Sequence, residues 1–197
     1  MPAGGGQNVV WHTTGEGHAG CHQIWRCGLT VRGNSSAEIG VKVWRIAYSG
    51  ALNLASLGFG STLGDGRWHL CLPGGAPQSP QIVYAASSRA LCQLEKRVHC
   101  NGATPKNMAL MRMELPENAV CLDAENLGLL TDWRAQQART QQLGMHWLAS
   151  KASLGLWVPS FVEPAECNLL INPTHADYLK IKLVVEKNPF VFDPRFF

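Results

Sequence analysis

Residues 41–48 (VKVWRIAY) alternate apolar and polar side chains, the period-two signature of a half-buried strand. Residues 108–116 (MALMRMELP) and 178–185 (YLKIKLVV) repeat that alternation, and 119–123 and 167–171 are short apolar runs of strand length. A further short strand ends at Tyr84, and 190–192 predicts a last edge strand. Two segments carry the helical period instead. After Tyr84, Ser87 or Ser88 can N-cap a helix that Asn101-Gly102 stops, with Leu91, Leu94 and Val98 as its expected buried stripe. Residues 140–151 predict a second helix with Leu143, Trp147 and Leu148 turned inward, and His146 on it reads as a packing or capping residue. Small residues between Ser49 and Gly66 predict a long loop with at most a turn of helix at 51–57. Several strands and few helices, in mixed order, favour an α+β fold with a mixed sheet over a doubly wound one.

One residue breaks the pattern of the first helix. Glu95 lies four residues after Leu91 and three before Val98, at the edge of the apolar face, whereas Lys96 and Arg97 can point to water. Such a carboxylate is either a solvated flank residue or an acid facing a cleft. Spacing alone leaves both open.

Composition narrows the classes. The chain has 197 residues, 46% hydrophobic and 16% charged, which suits one folded domain with a sizeable core. A net charge of +3 without any lysine-arginine run gives no nucleic-acid stripe. No apolar run reaches the length of a membrane span, and the N-terminus lacks a basic-then-apolar export pattern. The seven cysteines are odd in number and never spaced CxxC, as expected of reduced thiols in a cytoplasmic protein. Residues 1–40 differ from the rest, holding nine of the twenty glycines without sustained periodicity. Their His18, Cys21, His22 and Cys27 match no common zinc spacing, so no metal is expected and the segment reads as a loosely ordered extension.

Phosphate-cradling, nucleophile-elbow and zinc-protease motifs are all missing. The chain does hold Trp44-Arg45, Arg67-Trp68, a strand-end Tyr84, Glu95, and Ser160 after Pro159. Together the strings VWRIAY, GDGRWH, IVYAASSRALCQLE, WVPS and NLLINPTHADY, followed by FVFDPRF, resemble the RES domain, the toxin half of Xre–RES toxin–antitoxin pairs. The blocks run in family order from about Val41 to Phe197. The resemblance implies a fold similar to ADP-ribosyltransferase toxins and degradation of NAD to nicotinamide and ADP-ribose, some members using phosphate in place of water. It places the family's catalytic arginine, glutamate and serine on Arg45, Glu95 and Ser160, and its substrate-binding arginine and tyrosine on Arg67 and Tyr84. Asn172 and His175 fall in a block that reads as a turn. The implied partners are NAD as substrate and an Xre-type helix-turn-helix antitoxin, with no cofactor, no direct nucleic acid and no membrane; phosphate as co-substrate and homodimerisation stay open. Two rivals also stay open, transfer of ADP-ribose to a macromolecular acceptor and an inactive nucleotide-binding module. The chain departs from the family at His69, where GRWN is usual.

The chemistry suits these residues. Loss of nicotinamide passes through an oxocarbenium-like state that a carboxylate such as Glu95 can stabilise. Guanidinium forks at Arg45 and Arg67 match pyrophosphate oxygens. The Tyr84 ring can pack on nicotinamide or ribose. Ser160 can bond ribose or carboxamide, or position Glu95; a covalent serine is disfavoured, because no histidine stands at a spacing that would activate it.

The family resemblance has no counterpart for residues 1–40, and a valine can stand at an alternative start codon. The native protein is therefore expected to begin at Val41, with residues 1–40 a start-site artefact or a dispensable extension. Intact mass measures this directly, and a species containing Met1 sinks the artefact.

Overall fold

The computed structural model describes residues 40–50, 52–73 and 79–197. The glycine-rich extension, with His18, Cys21, His22 and Cys27, lies outside them. The elements are β1 (Lys42–Tyr48), α1 (Leu54–Leu57), β2 (Val83–Ala86), α2 (Arg89–Val98), β3 (Met108–Glu114), β4 (Cys121–Asp123), α3 (Gln137–Ser150), β5 (Gly155–Pro159), β6 (Cys167–Ile171) and β7 (Lys182–Phe190). The seven strands form one mixed sheet in the order β4-β5-β6-β2-β1-β3-β7. Only β4 and β5 pair in parallel. The fold is α+β, as the mixed order of patterns predicts.

Side chains alternate across the sheet and build a core on each face. Val43, Val83, Met111, Met113, Leu169 and Ile171 pack on one face with Leu57 of α1 and Tyr178. The opposite face carries two separate clusters. Leu156, Val158 and Leu170 pack with Trp68, Trp133, Trp147 and Leu148 on the α3 side. Ile46, Ala86 and Leu110 pack with Leu91 and Cys92 of α2 and with Phe190 and Phe192. The seam between these clusters runs along β2 and β6, beside the point where the sheet is weakest. There β1 and β2 are paired at a single position, Trp44 with Ala86.

Several expectations need correction. Residues 178–180 are a 3-10 turn, because the buried Tyr178 donates its hydroxyl to the Leu54 carbonyl at 2.6 Å and pulls the turn onto the sheet. The strand begins at Lys182 and runs to Phe190, so 190–192 is no separate strand. Phe190 instead stacks edge-on against Phe192, with ring centroids 5.0 Å apart. Within α2, Leu91 and Cys92 are buried but Leu94 is 36% and Val98 55% exposed. The helix turns its Leu91–Cys92 edge to the sheet, and that rotation carries Glu95, one turn further on, inward as well. Arg97, at the surface, also meets the C-terminus: its Nε donates to the Phe196 carbonyl at 2.6 Å and its guanidinium lies 4.3 Å from the Phe197 ring. His146 is exposed and neither packs nor caps. Cys71, Cys92, Cys100 and Cys121 are free thiols, whereas Cys167 is disulfide-bonded.

Local signals explain α2. Ser88 caps α2, accepting from the Leu91 amide at 3.0 Å, and donates its own hydroxyl to Glu166 at 2.5 Å. The left-handed Asn101 and Gly102 follow the helix end, as the stop signal requires. On α3 the buried face is Thr140, Gln141, Gly144, Trp147 and Leu148. Its polar members hold the 64–69 loop: Thr140 Oγ1 donates to the Arg67 carbonyl at 2.7 Å, and Gln141 Nε2 to the Gly66 carbonyl at 2.9 Å. Gly144 lets that loop close, since a Cβ there would stand 2.0 Å from the Trp68 carbonyl oxygen. Gly144→Ala would ordinarily stabilise a helix by about 1 kcal/mol. Here the sign reverses, and a loss of about 1–3 kcal/mol in the urea unfolding free energy is expected, together with displacement of the loop.

Candidate active site

Ser160 follows the last residue of β5 and is fully buried. Its amide donates to the Glu166 carbonyl at 2.9 Å, and its Oγ accepts from the amides of Val162 (3.1 Å) and Glu163 (3.0 Å). With both lone pairs occupied, the hydroxyl proton is left for Glu95 Oε1, at 2.8 Å. Asn168 on β6 donates its Nδ2 to the same oxygen at 2.5 Å. Glu95 is thus anchored through one oxygen by two side-chain donors. Its Oε2 has no hydrogen-bond partner among the described residues. Of the two roles open to Ser160, positioning Glu95 is the one this geometry supports; an oxygen with both lone pairs and its proton engaged is a poor nucleophile.

Arg45 lies where the sheet parts. Past the single Trp44–Ala86 pair, the Tyr84 carbonyl is free of the ladder and accepts from Arg45 Nη1 at 2.5 Å, while Nη2 donates to the Leu57 carbonyl at 3.2 Å. The Nε of Arg45 is buried without a partner, and no carboxylate pairs with the group among the described residues. Burial pulls the guanidinium below its ordinary value, with the neighbouring thiol and phenols opposing. A buried cation balanced only by carbonyl dipoles favours an incoming anion. Cys92, one turn before Glu95, feels both charges. Burial pushes its thiol up to about 12, with Arg45 pulling it down and Glu95 pushing it up. Arg45 and Glu95 form no ion pair with each other among the described residues.

Tyr84 and Arg67 are joined through His69. The buried His69 ring places Nε2 against the carbonyls of Ser61 (2.7 Å) and Gly64 (3.1 Å), so the neutral ring carries its proton there. Nδ1 then accepts the Tyr84 hydroxyl at 2.7 Å. Gly66 lies directly over the pair, since a Cβ there would meet the His69 ring at 2.4 Å and the Tyr84 hydroxyl at 3.0 Å. Burial pushes the Tyr84 phenol far up, against the pull of a Trp68 backbone hydrogen bond and of Arg45. Tyr84 thus fastens the loop that carries Arg67 rather than offering its proton to a ligand.

Arg67 completes the circuit. Its Nη1 donates to the Arg134 carbonyl at 3.0 Å, and Arg134 Nη2 donates to the Ser160 carbonyl at 3.0 Å. All five residues singled out in the sequence are linked in this way: Arg45 to Tyr84, Tyr84 through His69 to the Arg67 loop, Arg67 through Arg134 to Ser160, and Ser160 to Glu95. The linking groups His69, Arg134 and Asn168 were not singled out as site residues. Arg134 and Asn168 carry no distinguishing local motif, and only His69 announced itself, as the departure beside Arg67-Trp68. Asn172 is a turn residue as expected, its Oδ1 accepting from the Thr174 amide at 2.9 Å and its Nδ2 bonding the Leu148 carbonyl at 3.0 Å. His175 likewise bonds the Asp177 amide, at 3.1 Å. Among the described residues no cluster of three metal-ligating side chains occurs.

Tyr84→Phe leaves the buried His69 Nδ1 without its donor and is expected to lower the unfolding free energy by about 1–3 kcal/mol. A double-mutant cycle with His69→Asn is expected to show coupling of about 0.5–3 kcal/mol in urea denaturation. Strict additivity would mean that the two rings act independently.

Comparison with known proteins bears on what this circuit belongs to. The RES domain family model matches residues 42–193. The chain is 33% identical over 156 residues to Toxin Res of Yersinia enterocolitica, covering 78% of this chain and 97% of that protein. It is 38% identical over 160 residues to the Prs ADP-ribosylating toxin of a Sphingobium species, covering 77% and 94%. In three dimensions it is similar to a chain of the MbcT–MbcA toxin–antitoxin complex of M. tuberculosis, with a TM-score of 0.55 at 17% identity over 79% of this chain and 86% of that one. The sequence match spans the sheet, both long helices and every residue of the circuit, and the chain belongs to the RES domain family.

Proposed function

We propose that this protein is an NAD-cleaving toxin that breaks the nicotinamide–ribose bond and is neutralised by an Xre-type antitoxin covering the cleft. The observation that carries the reading is Glu95, tethered through one oxygen by Ser160 and Asn168 while the other has no hydrogen-bond partner among the described residues, in a site whose Arg45 guanidinium pairs with no carboxylate among those residues. The names of the relatives, Toxin Res and an ADP-ribosylating toxin, and the toxin–antitoxin complex among the structural neighbours support it.

The reaction needs little from an acid. The C–N bond electrons leave with nicotinamide, which departs as a neutral base, and positive charge develops on the ribose. Glu95 Oε2 stabilises that charge across a short distance in a partly dehydrated site. A water adds to the anomeric carbon and releases a proton, giving ADP-ribose. Ser160 and Asn168 keep the carboxylate fixed, so little reorganisation accompanies the charge change. Arg45 takes a phosphate oxygen of the dinucleotide, which supplies its buried guanidinium with the anion it lacks. The ADP-ribosylating name of one relative favours a second reading, in which a macromolecular acceptor replaces water on the same carbon.

Incubation with NAD while free nicotinamide is followed separates these readings. Release without an added acceptor, reduced about 100-fold or more in Glu95→Gln and Arg45→Ala, is the expected result. Release only with an acceptor would assign transfer, and faster release in added phosphate would assign phosphate as the nucleophile. No release at any enzyme concentration would leave a nucleotide-binding module.

A further inference from the structure

Arg67 and Arg134 crowd two positive charges around the same pair of rings. The Arg67 guanidinium is 4.7 Å from the Phe161 ring and 6.0 Å from the Trp133 ring. The Arg134 guanidinium is 4.5 Å from the Trp133 ring and 5.6 Å from the Phe161 ring. The rings themselves meet edge to face at 5.8 Å, which fixes the platform on which both forks rest. Like charges brought this close repel each other. Neither arginine pairs with a carboxylate among the described residues, and the adjacent Asp132 bonds Gln136 at 3.0 Å instead. Each guanidinium has five N–H groups, and within the described protein each donates through one atom only, to a backbone carbonyl. The remaining donors are held by stacking in a fixed orientation, the arrangement that matches tetrahedral oxyanions.

We propose that Arg67 and Arg134 form an anion site, separate from Arg45, that takes a phosphate group beside Ser160 and Glu95. Arg134 is the unassigned member: its one protein hydrogen bond goes to the residue that anchors Glu95, so a phosphate held there is fixed relative to the carboxylate. The inference rests on the NAD reading only for the source of the phosphate, either the pyrophosphate of the dinucleotide or free inorganic phosphate. Two arginine groups, this pair and Arg45, then grip the substrate at two points, which sets the distance between phosphate and anomeric carbon.

Calorimetric titration of the intact chain with ADP-ribose and, separately, with inorganic phosphate tests the site. Arg134→Gln is expected to weaken ADP-ribose about tenfold or more, with Arg134→Lys recovering part of the loss and with a shallower dependence on salt than the native protein shows. That result assigns the pyrophosphate as the source. Loss of inorganic phosphate binding with ADP-ribose unaffected assigns free phosphate, and the site stands. Unchanged affinity for both probes in Arg134→Gln overturns it, as does failure of the native protein to bind either. A loss whose salt dependence equals that of the native protein also overturns it, because Arg134 would then act through Ser160 alone. If NAD yields no nicotinamide but phosphate still binds through Arg134, the functional reading fails and the anion site survives.

Discussion

The hydrogen bond from the Ser160 hydroxyl to Glu95 is the contact on which the rest of the site depends. It exists because two backbone amides, of Val162 and Glu163, have already taken the lone pairs of that oxygen and turned its proton outward. The serine is buried at the end of β5, so its position is set by the sheet and not by a surface loop. The glutamate comes from a helix whose N-cap, Ser88, is tied to Glu166. Glu166 in turn accepts the Ser160 amide through its carbonyl. Strand end, helix start and carboxylate are therefore parts of one knot. Precise placement of a charged group requires such support, because a carboxylate free to rotate would reorganise as charge develops.

The two arginine regions use different physics. Arg45 is held by carbonyl oxygens in a gap of the sheet, where desolvation makes its charge costly and a ligand anion welcome. Arg67 and Arg134 are held by aromatic faces near the surface, where the guanidinium planes stay hydrated but fixed. His69 joins the two regions without carrying charge in its neutral form, by accepting the hydroxyl of Tyr84 whose carbonyl receives Arg45.

Much of this was legible in the chain. Period-two alternation identified β1 and β3, and the cap and stop signals bracketed α2 within the limits of such signals. The five residues Arg45, Arg67, Tyr84, Glu95 and Ser160 emerged as a group only through their family order; individually each has an ordinary explanation. What was not legible is instructive. Leu94 and Val98 satisfy the helical period yet face outward, because the Leu91–Cys92 edge fits the sheet better than theirs does. Cys92, outside the predicted stripe, lies on the true inner edge. Asn168 and Arg134 reach the site from β6 and a turn, and their contacts lie 73 and 26 residues away in the chain. Periodicity reports which face a residue occupies. It says nothing of which distant group it meets there.

The single rung between β1 and β2 has an implication for how this domain can change over time. An arginine occupies the place that strand pairing would fill, so one side chain serves at once as part of the sheet and as part of the candidate site. A lineage that abandoned the chemistry could not simply discard Arg45; it would have to close the gap with backbone pairing or leave two carbonyls unsatisfied. Inactive descendants of such a protein should therefore keep the arginine longer than the glutamate, and the persistence of Arg45 alone in a related chain would be a poor sign of surviving activity.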